Sequence, residues 1–424
     1  MKTIVQISFI LLLSSQYSFS QVDSSLLKPK TNADTTKKKP ARDVLFDRPF
    51  LKLGKLPVSI GGYFEANYQY VGTSGITLGH QFQFRRFSLF TASSIAPHIK
   101  FLSEIEYEND PMGEATEAKN GSEFGLEYAA IDIEFNQMLT LRGGLILNPI
   151  GAFNQNHDGP KYEFTDRPIA MTQLLPYTWN NPGFGIYGKQ FKNQWMFGYE
   201  LYLTGGFDDS IIDNSLGKTY LPGAKSNLSR LSASASGQPL VTAKLSLARE
   251  VGGELGISYM GGVYNTWQVE GAVVDDKRNV RVFDINYSNT LPKTKTNIIF
   301  EWAWVLVDLP PNYTPQYAHK QYGGFIDIVQ PIYRGRLFDW KDASLNFALR
   351  SEYVTWNADK FTSTGLRQYN DTKSLMPAIS FRPSSQTVLR INYRFQTTRD
   401  ITGNTIGANL GTTKGISFGI SSYF

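Results

Sequence analysis

The chain has 424 residues, a formal net charge of +5, 14% aromatic residues and no cysteine. Without cysteine it is neither a lipid-anchored lipoprotein nor a disulfide scaffold, and without a concentrated basic face it is not a nucleic-acid-binding protein. Beyond the amino terminus no run is apolar enough for a membrane helix, yet about 370 residues follow without a linker-like break, too many for one ordinary soluble domain.

The amino terminus, MKTIVQISFILLLSSQYSFS, carries Lys2, an apolar run from Ile4 to Leu13, and small residues at Ser18 and Ser20. The run is half of the roughly 20 residues a spanning helix needs. Residues 1–20 are therefore expected to be a secretory signal cleaved after Ser20, the alternative being a buried amino-terminal helix. Residues 21–57 are polar and lysine-rich, with a cluster at Lys37, Lys38 and Lys39, and read as a solvated periplasmic lead-in.

From residue 58 to 424 the sequence alternates apolar and polar positions in sixteen stretches. The first eight fall near 58–70, 79–94, 98–108, 122–134, 138–147, 182–191, 194–204 and 239–249. The second eight fall near 254–264, 280–289, 295–307, 320–331, 343–354, 372–382, 387–397 and 414–424. In TVLRINYRFQ, Leu389, Ile391, Tyr393 and Phe395 face one way and Arg390, Asn392, Arg394 and Gln396 the other. Connections alternate between short turns such as 136–137, 192–193 and 383–386 and long segments such as 148–181 and 205–238. That pattern predicts an all-β fold, a transmembrane antiparallel β-barrel of about sixteen strands with short periplasmic turns and long external loops. One connection, 332–342, is longer than its place in the alternation predicts, which implies either a longer turn or a strand boundary placed elsewhere. An even strand count brings both ends to one side, so the last strand, ending at Phe424, closes the barrel against the first.

Three stretches carry a resemblance to a known family. QFQFRRFSLFTASSIAPHIKFLSEIEYEND, GLEYAAIDIEFNQMLTLRGGLILNPIGAFNQNHDGPKYEFTDRPIA and LMPAISFRPSSQTVLRINYRF resemble segments of the phosphate-selective porins O and P. The resemblance implies a sixteen-stranded, homotrimeric porin of the bacterial outer membrane, whose long third loop folds inward and narrows the pore. The loop here is 148–181, rich in Pro, Asn and aromatics, with Lys161 and Arg167 as candidates for a basic constriction. An external lid that never enters the lumen is the alternative.

A cation facing lipid at mid-depth costs roughly 2–4 kcal/mol, so wall charges are expected to point inward. The inward basic set is Arg85, Lys100, Arg142, Lys244, Arg350, Arg390 and Arg394. The inward acidic set is larger and includes Glu104, Glu106, Glu108, Asp132 and Glu134 on the early strands. Such a lumen is polarised across its width, many of its charges pair within the wall, and strong anion selectivity is not expected. At Arg85 and Arg86 the apolar phase switches from Phe82 and Phe84 to Phe87 and Leu89, which predicts a bulge turning both arginines inward. The alternative places Arg86 at a rim, reaching headgroups.

Signals of chemistry are weak. GISFG at 415–419 matches a nucleophile-elbow pattern, but no acid or histidine follows it, the last histidine being His319. His80, His98, His157 and His319 have no metal-ligand spacing and are expected at rims or in loops; neither a metal nor a cofactor is expected. The acidic stretch DDSIIDNS at 208–215 is expected to be a solvated loop rather than a calcium site. The sequence thus points to a non-enzymatic passive channel for small hydrophilic solutes or ions, surrounded by outer-membrane lipid. The alternative is a structural or secretion-associated barrel with a closed lumen.

Overall fold

A computed structural model describes residues 48–52, 58–109, 123–214, 216–226, 231–232, 234, 236–249, 251–311, 313, 319–359, 370–400 and 409–424. The expected signal segment and most of the lead-in lie outside the described residues. Eighteen strands form one antiparallel sheet; two of them, Leu51–Lys52 and Ile76–Thr77, have only two residues, which leaves sixteen long strands. These are β1 (Val58–Thr73), β2 (Gln81–Ala96), β3 (Ile99–Glu108), β4 (Glu123–Asn136), β5 (Leu139–Leu147), β6 (Asn180–Lys192), β7 (Trp195–Thr204) and β8 (Leu240–Arg249). They continue as β9 (Gly253–Val263), β10 (Asn279–Thr290), β11 (Asn297–Val307), β12 (Lys320–Leu337), β13 (Trp340–Thr355), β14 (Asp371–Ser384), β15 (Thr387–Asp400) and β16 (Asn409–Tyr423). Each pairs with its neighbour in sequence, and β16 returns to β1 with Tyr63 opposite Tyr423 and Thr73 opposite Thr413. The sheet is therefore a closed barrel with no free long edge.

The period of two sorts side chains as a barrel requires. Phe82, Phe124, Phe184, Phe197, Leu245, Ile257 and Phe418 point outward and are exposed. A polar and charged set that includes Glu65, Arg86, Glu104, Arg142, Asp284, Glu301, Asp327, Arg350 and Arg390 points inward and is buried. An outward apolar surface of this extent suits hydrocarbon, not water.

The long connection at 332–342 is corrected. β12 runs on to Leu337 and β13 begins at Trp340, leaving a turn of two residues with Phe338 at φ 53°. Pro331, at the end of the expected stretch, and Gly335, within the expected connection, sit at irregularities in the pairing between β12 and β13. A bulge absorbs the missing ladder bond of a proline and lets the strand continue. The alternation of short and long connections therefore holds here as well.

The first described segment, 48–52, and Phe424 are fastened at the short-turn rim. Leu51–Lys52 pairs with β1 at Ile60 and Ser59, beyond the point where β16 stops. The Phe424 N–H donates to the Gly62 carbonyl at 3.0 Å, and its ring stacks on Phe87 at 5.6 Å. The expected solvated lead-in does not extend to Arg48 and Phe50, which are buried. Phe50 packs edge-on against Phe90 at 6.3 Å, so burial of an aromatic holds this segment to the barrel mouth.

Candidate functional site in the lumen

The connection from β5 to β6 enters the barrel at the long-loop rim and reaches the short-turn third. Its base is apolar: Ile150, Phe153, Leu174, Leu175 and Trp179 join Met260, Val280, Val282, Ala303, Val305 and Phe325 of the wall in one buried cluster. The segment after β7 adds Phe207, Ile211, Leu221 and Ala224 to that cluster, and Lys225 donates to the Tyr177 carbonyl at 2.8 Å and to Thr178 Oγ1 at 2.7 Å. Within the acidic stretch 208–215, Asp208 accepts from the Ser210 N–H at 3.0 Å and caps a 3-10 turn over Asp209–Ile211.

One glycine fixes the path of the base. Gly151 has φ +67°, and a Cβ there would stand 1.9 Å from Glu301 Oε1. Glu301 Oε2 accepts the N–H groups of Ala152 and Phe153 at 3.0 and 2.9 Å. A carboxylate from the middle of β11 thus holds two consecutive loop amides, while Lys244 donates to the Gly151 carbonyl at 2.8 Å and to Gln155 Oε1 at 3.0 Å.

The tip, from His157 to Arg167, is held by charge. Arg394 meets Asp166 Oδ2 at 2.9 Å and Arg85 meets Asp166 Oδ1 at 3.3 Å. Arg350 spans Asp327 with two bonds of 2.7 Å and donates a third, also of 2.7 Å, to the Asp166 carbonyl. Arg390 pairs with Glu65 at 2.9 Å and donates to the carbonyls of Gly159 and Tyr162 at 2.9 and 3.0 Å. Arg382 reaches Glu163 at 2.8 Å and the Pro160 carbonyl at 2.8 Å. The arginines of the late strands therefore end on oxygens of the loop or on a wall acid.

The early strands show the reverse arrangement. Arg86 bonds Glu108 at 2.6 Å and Glu65 at 3.3 Å, and Arg142 grips Asp132 with two bonds of 2.7 Å. Lys100 pairs with Glu134 at 3.0 Å in a half-buried position near the short-turn rim. Glu106 accepts from Tyr63 at 2.7 Å and from Ser88. Arg167 of the loop meets Glu108 at 2.9 Å and Glu106 at 3.7 Å, and Lys161 bonds Asn156 at 2.5 Å and lies 3.4 Å from Asp158. Both loop cations considered for a basic constriction are thus faced by carboxylates.

At the arginine pair, Glu65 lies opposite Arg86 and Ala66 opposite Phe84, so Arg85 is the extra residue of a bulge and both arginines are buried inside. A second bulge was not read from the sequence: Glu104 lies opposite Tyr128 and Ile105 opposite Leu126, which makes Glu127 the extra residue. Its signal was present, because the outward apolar phase changes from Phe124 and Leu126 to Ile131 and Ile133.

Three residues of the lumen, Arg48, Asp158 and Tyr423, escaped the sequence reading. Arg48, from the expected lead-in, is buried in the lumen, bonds Glu104 at 2.7 Å and Asp158 at 2.6 and 3.0 Å, and lies 4.1 Å over the Phe90 ring. Tyr423 also donates to Asp158, at 2.7 Å. Burial alone would raise the Asp158 carboxyl, but Arg48 and then Lys161 hold it well below the usual carboxylate range. His157 lies in a loop, one of the two places expected for it, but is buried there, at 1% exposure. Burial first, and the positive charge of Arg167 second, hold its imidazole well below the ordinary value and keep it neutral.

Comparison with known proteins bears on the fold. No protein-family model matches the sequence. An uncharacterized protein of Aquifex aeolicus is 32% identical over 152 residues, 36% of this chain and 33% of its own length, so the match spans about a third of that relative. The outer-membrane channel DcaP of Acinetobacter baumannii superposes with a TM-score of 0.51 at 10% identity, covering 87% of this chain and 97% of its own. OmpF of Salmonella typhi, in complex with daunomycin, superposes with a TM-score of 0.51 at 13% identity, covering 87% and 98%. The chain shares the porin barrel fold.

Proposed function

We propose that the chain is a passive outer-membrane channel for small hydrophilic solutes, with segment 148–181 as its constriction. One observation carries the reading: an apolar outside encloses a charged lumen that a long loop crosses from one rim to the other third. Water-filled barrels of this class conduct without a catalytic group or energy coupling. Arg85, Arg86, Lys100, Glu104, Glu106, Arg142, Arg350, Arg390 and Arg394 act as wall charges, with Lys161 and Arg167 at the constriction.

Selectivity is proposed to be weak. The wall arginines named above face carboxylates or carbonyls, so they offer little uncompensated charge to a passing ion. Phosphate transport and a trimeric assembly rest on the resemblance to the porin O and P family, and export through a cleaved signal rests on residues 1–20. Single-channel recording in planar bilayers tests the function: ohmic steps and a reversal potential near zero in a salt gradient are expected. Folded protein that gives no steps defeats the proposal. Native mass spectrometry in mild detergent tests the trimer.

A second reading, a structural or secretion-associated barrel with a closed lumen, is favoured by one observation. Glu65, Glu104, Tyr202, Thr242, Asp284, Asp327 and Ser417, on strands spread around the ring, are all buried. Liposome swelling with small sugars separates the two: swelling requires a path past the loop, and its absence favours closure.

A further inference from the structure

We propose that Glu104, His157 and Asp158 form a binding site for one divalent transition-metal ion of the zinc class. The three side chains are buried, and one ligand atom of each lies within 4.8 Å of the others. Glu104 comes from the wall and the other two from the constriction loop, so an ion here would tie loop to wall.

Two of the donors have no other occupation. His157 Nδ1 lies 2.9 Å from the Asn154 carbonyl. A carbonyl only accepts, so the ring proton sits on Nδ1 and the Nε2 lone pair is left free; the same outer contact orients metal-bound histidines in general. Nε2 has no hydrogen-bond partner, and neither has Glu104 Oε1. These two atoms face each other at 3.9 Å. Zinc–nitrogen and zinc–oxygen bonds sum to about 4.0–4.3 Å, so an ion fits between them, and a closing of about half an ångström would bring the angle near tetrahedral. Burying an imidazole nitrogen and a carboxylate oxygen unpaired costs free energy that a shared ion would recover.

Asp158 supplies the third donor, and Arg48 is the competitor. Its guanidinium occupies Glu104 Oε2 and both oxygens of Asp158, and Tyr423 takes the second lone pair of Asp158 Oδ2, which leaves Glu104 Oε1 and the second lone pair of Asp158 Oδ1 for an ion. Arg48 and Lys161 balance the two carboxylates, so the ion binds against local positive charge. The mixed nitrogen and oxygen set suits zinc, nickel or copper better than calcium or magnesium.

The site separates from the channel reading because binding is measured without conduction. The full chain, folded in detergent and stripped with a chelator, is titrated with Zn2+ by calorimetry and then dialysed for metal analysis. One ion per chain is expected, with His157→Gln and Glu104→Gln each weakening binding at least about tenfold. His319→Gln should leave it unchanged. Arg48→Gln should tighten it, an outcome that a purely structural cluster does not give. The heat-modifiable gel shift of a folded barrel screens each variant for folding, and Co2+ absorption spectra of the native chain give a second readout of nitrogen and oxygen ligation. No saturable binding to the native chain, binding that both ligand variants leave intact, or weaker binding in Arg48→Gln overturns the proposal.

Discussion

The inner loop leans on two unlike stretches of wall. Along β9 to β12 it meets Met260, Val280, Val282, Ala303, Val305 and Phe325, apolar side chains that exclude water from Phe153 and Trp179. Along β13 to β15 it meets Arg350, Arg382, Arg390 and Arg394, which bond its carboxylates and carbonyls. Apolar packing is insensitive to salt and to charged solutes, whereas ion pairs can be exchanged for other partners. The first wall therefore fixes where the loop enters, and the second sets where its tip lies and what charge a solute meets.

The largest effect is expected at the apolar wall. Trp179→Ala removes a 2% exposed ring from the loop base and should cost about 3–5 kcal/mol of packing. Single-channel conductance should rise severalfold and become noisy as the loop loses its anchor; unchanged conductance would mean that the base is not what holds it. Next comes Asp166→Asn at the charged wall. It leaves Arg85 and Arg394 facing an uncharged amide, and the loss of one partner from a buried ion pair costs about 3–5 kcal/mol where no substitute bond forms. The asparagine retains an acceptor, so the barrel should fold while its reversal potential moves towards anions.

Smaller shifts of opposite sign distinguish the two sides of the lumen. Arg390 and Arg394 replaced together by alanine should move the reversal potential towards cations. Glu104→Gln with Glu106→Gln should move it towards anions. Shifts of the same sign would show that these charges act through the loop position rather than through the local field. The smallest effect is expected at Arg281 and Asp308, an exposed pair at 2.9 Å with side chains 46% and 40% accessible. Arg281→Ala should change thermal stability by about 0–1 kcal/mol, and less at high salt.

Strand number, most connection lengths and inward charges were legible because a barrel wall repeats every two residues and lipid penalises a misplaced charge. The bulge at Arg85 was legible for the same reason, since it shifts the apolar phase. The stretch at 332–342 was not legible as strand because its pairing with β13 is irregular after Pro331 and after Gly335, which breaks the period of two. Arg48, His157 and Asp158 were illegible as a group. They come from a lead-in and a loop, where no periodicity ties one position to another, and only the closed barrel brings them to Glu104. Pairwise spacing along the chain says nothing about a contact such as Arg48 with Asp158, whose residues are separated by 110 positions.

The junction of β1 with β16 has a consequence for how the molecule comes into being. Tyr63 is ladder partner to Tyr423, and the Asp158 carboxylate that anchors the loop tip takes one of its donors from Tyr423 and another from Arg48. The first strand, the last strand and the loop between β5 and β6 thus depend on residues far apart along the chain. Pairings this distant in sequence form slowly, and until the final strand arrives the first presents a bare row of amides and carbonyls open to any other chain. Half a wall has no stable resting place. The polypeptide must be kept apart from its neighbours until β16 can pair with β1 and close the ring.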